Sequence, residues 1–192
     1  MKIIEPRVSE KDARRFFERP RLRNLWGLLK LLKRSRPIEI SSSRGRKLPY
    51  LELLYLPYYL IRFRVESFQE PGAIEVSVEA HSGAFAIFQM QDDLSERSET
   101  REWFQPKLSE AEAVEIGRRE LVASILRRRG NREKPSVGEV LGIDFFYYPF
   151  WVWYFERREG LIDIALMDAA RGVKGGDRTR VGVLSCLSSR AD

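Results

Sequence analysis

Two periodicities divide the chain. Between Arg21 and Arg34, Leu22, Leu25, Trp26, Leu29 and Leu32 recur at helical spacing, while Arg21, Arg23, Lys30, Lys33 and Arg34 fall mostly elsewhere on the helix. That pattern predicts a basic amphipathic helix. Residues 54–63 (LYLPYYLIRF) and 146–155 (FYYPFWVWYF) instead have period-two character and are rich in aromatic and β-branched side chains, which predicts strands. Tyr59, Ile61, Phe63 and Val65 share one face of the first strand; Trp151, Trp153 and Phe155 share one face of the second. Pro57 and Pro149 lack an amide donor, so each is expected at a strand start, bulge or edge. Further strands are expected over residues 74–79 and 84–90, over a stretch beginning at Asp163, and over residues 180–187 after Gly175-Gly176.

These elements fall into matching sets. VSEKDA, from Val8 to Ala13, reappears as LSEAEA, from Leu108 to Ala113, displaced by 100 positions. Ser9 and Ser109 are N-cap candidates. Glu112 is placed to complete a capping box with Ser109, and Asp12 is a shorter variant of the same device; both put negative charge at the positive end of a helix dipole. The two proline-centred strands match at a displacement of 92. Residues 74–83 match 163–172 at a displacement of 89, and both end acid-Ala-x-x-Gly. Glu79 and Asp168 are expected to bond main chain in the turn, with Gly83 and Gly172 taking positive φ. The expected fold is therefore α+β, made of two tandem related repeats, 1–104 and 105–192, each an N-terminal helix packed on an antiparallel sheet.

The helix opening at residues 108–116 (LSEAEAVEI), followed by Met167-Asp168-Ala169-Ala170-Arg171-Gly172, resembles the pattern of PepSY-like domains, which are small helix-plus-antiparallel-sheet modules. The resemblance covers residues 108–176 and, more faintly, 8–83. It implies a binding or regulatory role, protein- or peptidase-directed, with no catalytic residue. Members of that family are often exported or membrane-attached, whereas residues 1–8 (MKIIEPRV) lack the pattern of a signal peptide.

Composition narrows the chemistry. One histidine and one cysteine leave no zincin pair, thiolate cage or internal disulfide, so no metal and no cofactor are expected. The longest nonpolar stretch, residues 145–155, is too short to span a membrane as a helix, which takes about 20 residues, so a cytoplasmic protein is expected. Charge is uneven: residues 1–48 hold 15 Lys and Arg against 5 Asp and Glu, leaving 19 against 23 for the remainder. The leading expectation is a non-enzymatic module with a protein partner. The alternative is nucleic-acid or anionic-surface binding through Arg21, Arg23, Lys30, Lys33, Arg34, Arg44, Arg46 and Lys47. Against it stands the plainer reading of the helix as a sheet cover and of residues 41–47 as a polar loop. An enzyme working through Glu79, Asp163 or Asp168 is a third, weaker class. His81 is read as a solvated turn residue, Cys186 as a small buried hydrophobe, and the aromatic groups as core rather than a base-stacking platform.

Overall fold

The computed structural model describes residues 1–18, 48–66, 72–90, 93–97, 104–127, 135–158 and 161–188. Within them the chain is α+β. Its helices are α1 (Glu10–Glu18), α2 (Glu110–Arg127) and α3 (Asp177–Ser188). The strands of its mostly antiparallel sheet are β1 (Lys2–Ile4), β2 (Tyr50–Glu66), β3 (Gly72–Glu79), β4 (Phe85–Ile87), β5 (Leu94–Glu96), β6 (Ser136–Arg158) and β7 (Leu161–Asp168). No helix among the described residues is long and apolar enough to cross a membrane.

The chain forms two compact units, and neither coincides with residues 1–104 or 105–192. The first comprises Met1–Glu5, Tyr55–Tyr148 and Asp177–Asp192; the second comprises Pro6–Leu54 and Pro149–Gly176. In the first, the strands lie in the order β4-β3-β2-β6-β1-β5. β1 pairs parallel with β6 at Phe146 and Tyr147 and antiparallel with β5. One face of this sheet carries Tyr59, Ile61, Phe63, Val76 and Val78, all buried beneath Ala113 and Leu121 of α2. Burying a side chain such as Phe63 stabilises the unit by roughly 1.5–3 kcal/mol. The opposite face is aromatic: Phe146 lies 5.6 Å from Tyr58 and 5.2 Å from Phe88, centroid to centroid.

In the second unit, β7 pairs antiparallel with β6 starting from Phe150 opposite Asp168. Ala13 of α1 is buried with Trp151, Met167 and Ala169, and Phe17 stacks on Trp153 at 5.7 Å. Tyr50 stacks on Tyr154 at 4.3 Å.

Each helix thus packs on the hairpin of the other half of the sequence. The expectation of a helix lying over its own downstream sheet is corrected: the helix opened by Ser9 covers β6–β7, and the helix opened by Ser109 covers β2–β3. An amphipathic stripe specifies an apolar face and not its partner. Shape makes the choice. A Cβ on Gly117 would stand 3.3 Å from Ile61 and 3.4 Å from Phe63, so α2 lies close against β2. Phe17, which lies 100 positions before Gly117 in the sequence, stacks on the broad surface of Trp153 instead.

The prolines are also corrected. Both are internal to long strands, each one residue beyond the end of a ladder, whose last pairs are Tyr58 with Glu79 and Phe150 with Asp168. Ala80 donates its amide to the Pro57 carbonyl at 2.9 Å, and Ala169 donates to that of Pro149 at 3.1 Å. An ordinary residue would return the bond; proline has no N–H to return. The Ala80 and Ala169 carbonyls are consequently left open for the chain leading into a helix. Lys107 and Leu108 donate to Ala80 at 3.0 and 2.8 Å, and Arg7 and Val8 donate to Ala169 at 2.9 Å each.

The last predicted strand is a helix. Over residues 180–187 the alternation of Val181 and Val183 reads as a strand, but the buried positions Gly182, Val183 and Cys186 follow helical spacing, and α3 begins at Asp177 directly after Gly176. The strand expected over residues 84–90 is shorter, only β4.

Candidate functional site

Each unit centres on an acidic turn. Glu79 and Asp168 end their strands, and the turn that follows closes with a glycine amide donating to the acid's own carbonyl, Gly83 to Glu79 at 2.9 Å and Gly172 to Asp168 at 2.8 Å. The two glycines have φ of 68° and 71°, the left-handed region that side chains avoid. Glu79 accepts from the His81 amide at 2.8 Å and the Ser82 amide at 2.6 Å through separate oxygens, and from the Ser82 hydroxyl. Asp168 Oδ1 accepts from the Ala170 and Arg171 amides at 2.9 and 2.8 Å. A ring donor completes each arrangement: Tyr59 Oη donates to the Leu108 carbonyl at 2.8 Å, and Trp151 Nε1 donates to that of Val8 at 2.9 Å. These carbonyls belong to the residues just before the two cap serines.

The caps form as expected. Ser9 Oγ accepts from the Asp12 amide at 3.2 Å. Ser109 and Glu112 form the reciprocal box, with the Glu112 amide donating to Ser109 Oγ at 3.3 Å and the Ser109 amide donating to Glu112 Oε2 at 2.8 Å. Those bonds from the Ser109 amide and hydroxyl hold the Glu112 carboxyl below its ordinary range. Burial, together with the charges of Glu110 and Glu112, pushes the Tyr59 phenol up.

Around Glu79 the first unit is closed. Its side chain is fully buried and lies against α3, where a Cβ on Gly182 would come within 2.6 Å of Oε2. Cys186, on the same helix, is buried, and desolvation with the nearby Glu79 charge pushes its thiol well up. The solvated-turn reading of His81 is corrected: the residue is 9% exposed, and its Nε2 lies 2.7 Å from the Gln105 carbonyl. A carbonyl only accepts, so Nε2 carries the proton; among the described residues, buried Nδ1 has no partner. Of the aromatic group weighed as a stacking platform, Tyr55, Tyr58, Tyr59, Tyr147, Tyr148, Trp151 and Tyr154 are buried and Trp153 is half-buried. They form core.

The basic residues Arg21, Arg23, Lys30, Lys33, Arg34, Arg44, Arg46 and Lys47 lie outside the described residues. A different polar pair emerges on the first unit. Arg62 and Glu75 are register partners across β2 and β3, on the face opposite Ile61 and Val76, beside an open recess of about 420 Å³. Strand alternation puts Arg62 on the polar face, but only the hairpin register brings it to Glu75. Among the described residues no cluster of three or more His, Cys, Asp or Glu is placed to hold a metal ion.

No family model, curated protein or solved structure matches the chain.

Proposed function

We propose that this chain is a non-enzymatic binding module of two related PepSY-like units that have exchanged helices, and that its partner is a protein. The carrying observation is the engagement of Glu79. This fully buried acid binds the His81 and Ser82 main chain and the Ser82 hydroxyl, so its oxygens act on the fold and not on a substrate. Relatedness draws support from the parallel sets of bonds: acid to turn amides, alanine amide to proline carbonyl, paired lead-in amides to alanine carbonyl, and ring donor to the residue before the cap. The peptidase-directed form of this role comes from the family resemblance.

Titrating the full chain into peptidases of the serine, cysteine and metallo classes tests the reading. The expected outcome is saturable inhibition of at least one class, with the chain left intact. Loss of activity caused only by digestion of the chain as a competing substrate, or no inhibition in any class, counts against the peptidase-directed form.

The excess of 15 basic over 5 acidic side chains in residues 1–48 favours a second reading, binding to nucleic acid or an anionic surface. Anisotropy with labelled duplex and single-stranded oligonucleotides, and flotation with anionic vesicles, separate the two. Binding that weakens steeply as salt rises supports the second reading; a contact driven by apolar burial changes little.

A further inference from the structure

We propose that residues 136–144 of β6 pair antiparallel with the same residues of a second copy of this chain, about a two-fold axis at Val140. The sheet path ends in strands of three residues, β4 and β5, too short to template another chain. β6 has no such protection along its first part. Besides β2, its described partners are β1, at Phe146 and Tyr147, and β7, from Phe150 to Arg158; neither reaches residues 136–144. Ser136 and Glu139 are tied to β2, through Glu66 at 3.4 Å and Arg64 at 3.0 Å. Leu141 and Ile143 are 43% and 37% exposed, and Gly142 has open space at its Cβ. Natural sheets guard such an edge with Lys or Pro, and this stretch holds neither.

The occupant follows from the length and order of the stretch. In the parallel register of Lys2 with Phe146, Met1 falls beside Phe145, so an added strand has room only beside residues 136–144. β6 itself begins at Ser136. A second β6 laid antiparallel fills this space in one register, with Ser136 opposite Asp144 and Val140 opposite itself. Ser136 then offers a hydroxyl to the Asp144 carboxylate, Val137 and Ile143 make an apolar cross-strand pair, Gly138 meets Gly142, and Glu139 meets Leu141, so no acid directly opposes another. The two copies of Glu139 are diagonal neighbours, and the Arg64 guanidinium beside each offsets that charge. Arg118 donates to the Val137 and Gly138 carbonyls at 3.3 and 2.6 Å, and a carbonyl accepts a second bond. One strand per copy is well below the about 20–30 residues a side of a standard interface, so a dissociation constant in the micromolar range or weaker is expected. This contact is independent of the partner proposed above.

Sedimentation velocity of the full chain from about 5 to about 500 µM tests the pairing, a range set by the size of the contact. An equilibrium between monomer and dimer is expected. Amide exchange at residues 136–144 is expected to slow as concentration rises, while that of β4 and β5 stays constant. Two substitutions at exposed Leu141 read the register. Leu141→Glu sets like charges opposite each other twice in the dimer and is expected to raise Kd about fivefold or more, whereas Leu141→Lys places a cation opposite Glu139 and is expected to leave Kd unchanged or lower it. Thermal melts check that each variant folds, and if one does not, exchange in the unsubstituted chain still decides. A monomer throughout the range, protection at residues 136–144 that does not vary with concentration, or equal weakening by both substitutions overturns the proposal.

Discussion

The turn at Glu79 and the turn at Asp168 hold the same main-chain bonds, yet they stand in different surroundings. Glu79 is fully buried, engages both carboxylate oxygens and is covered by α3. Asp168 is partly exposed and takes its two turn amides on one oxygen. The difference teaches that the acid-Ala-x-x-Gly pattern specifies the shape of the turn, while burial decides how much of the unit's stability depends on it.

The sharpest break in the comparison comes from removing the acids. Glu79→Ala leaves buried amides and a hydroxyl without an acceptor and is expected to destabilise the chain by about 3–5 kcal/mol. Asp168→Ala, where water can replace the lost oxygen, is expected to cost about 1 kcal/mol. Denaturant unfolding of both variants measures this, and equal losses would erase the distinction.

Next in size is the helix cover. Gly→Ala inside a helix ordinarily stabilises by up to about 1 kcal/mol. At Gly182 the new Cβ meets Glu79 Oε2, an atom held by the Ser82 amide and hydroxyl and unable to move aside cheaply. Gly182→Ala is therefore expected to destabilise by about 1–3 kcal/mol, whereas Gly176→Ala, with open space at its Cβ, changes stability by less than about 0.5 kcal/mol. A stabilised Gly182→Ala variant would show that α3 does not press on the turn.

The smallest effects distinguish the caps. Ser9→Ala and Ser109→Ala are each expected to cost about 1 kcal/mol. At the Ser109 cap the Ser109 amide and hydroxyl hold the Glu112 carboxyl below its ordinary range. A carboxyl depressed by folding adds stability above its unfolded pKa of about 4.3 and loses it as pH falls through the lower folded value. Amide exchange at the start of α2 should accelerate on acidification through that window, and Glu112→Gln should abolish the dependence. A pH response that survives the substitution would place its origin elsewhere.

Much of the local structure was legible in the residues themselves. Ser-x-x-acid gave the caps, acid-Ala-x-x-Gly gave the positive-φ turns, and aromatic alternation gave β2 and β6. What escaped depended on distance or brevity. β1 and β5, three residues each, are too short to display a period. In α3 the valine alternation masked a helical set of buried positions. Which hairpin each helix covers depends on the bulk of Phe17 against the absence of a side chain at Gly117, a choice visible only once Trp153, Ile61 and Phe63 are in place. The prolines were legible as missing donors, but the use of the carbonyls they leave open was not. Arg62 and Glu75 became a pair only through the register of β2 and β3.

The exchange of helices is tested most directly by nuclear Overhauser contacts between the residues that precede the caps and the turn glycines. Gly172 lies against Val8, with a Cβ-to-Cγ2 separation of 3.4 Å if a Cβ is added, and Gly83 lies in the same way 3.9 Å from a Leu108 methyl. The account predicts cross-peaks from the Val8 methyls to the Gly172 α-protons and from the Leu108 methyls to those of Gly83. Cross-peaks joining Val8 to Gly83 and Leu108 to Gly172 would contradict it, returning each helix to the hairpin of its own half.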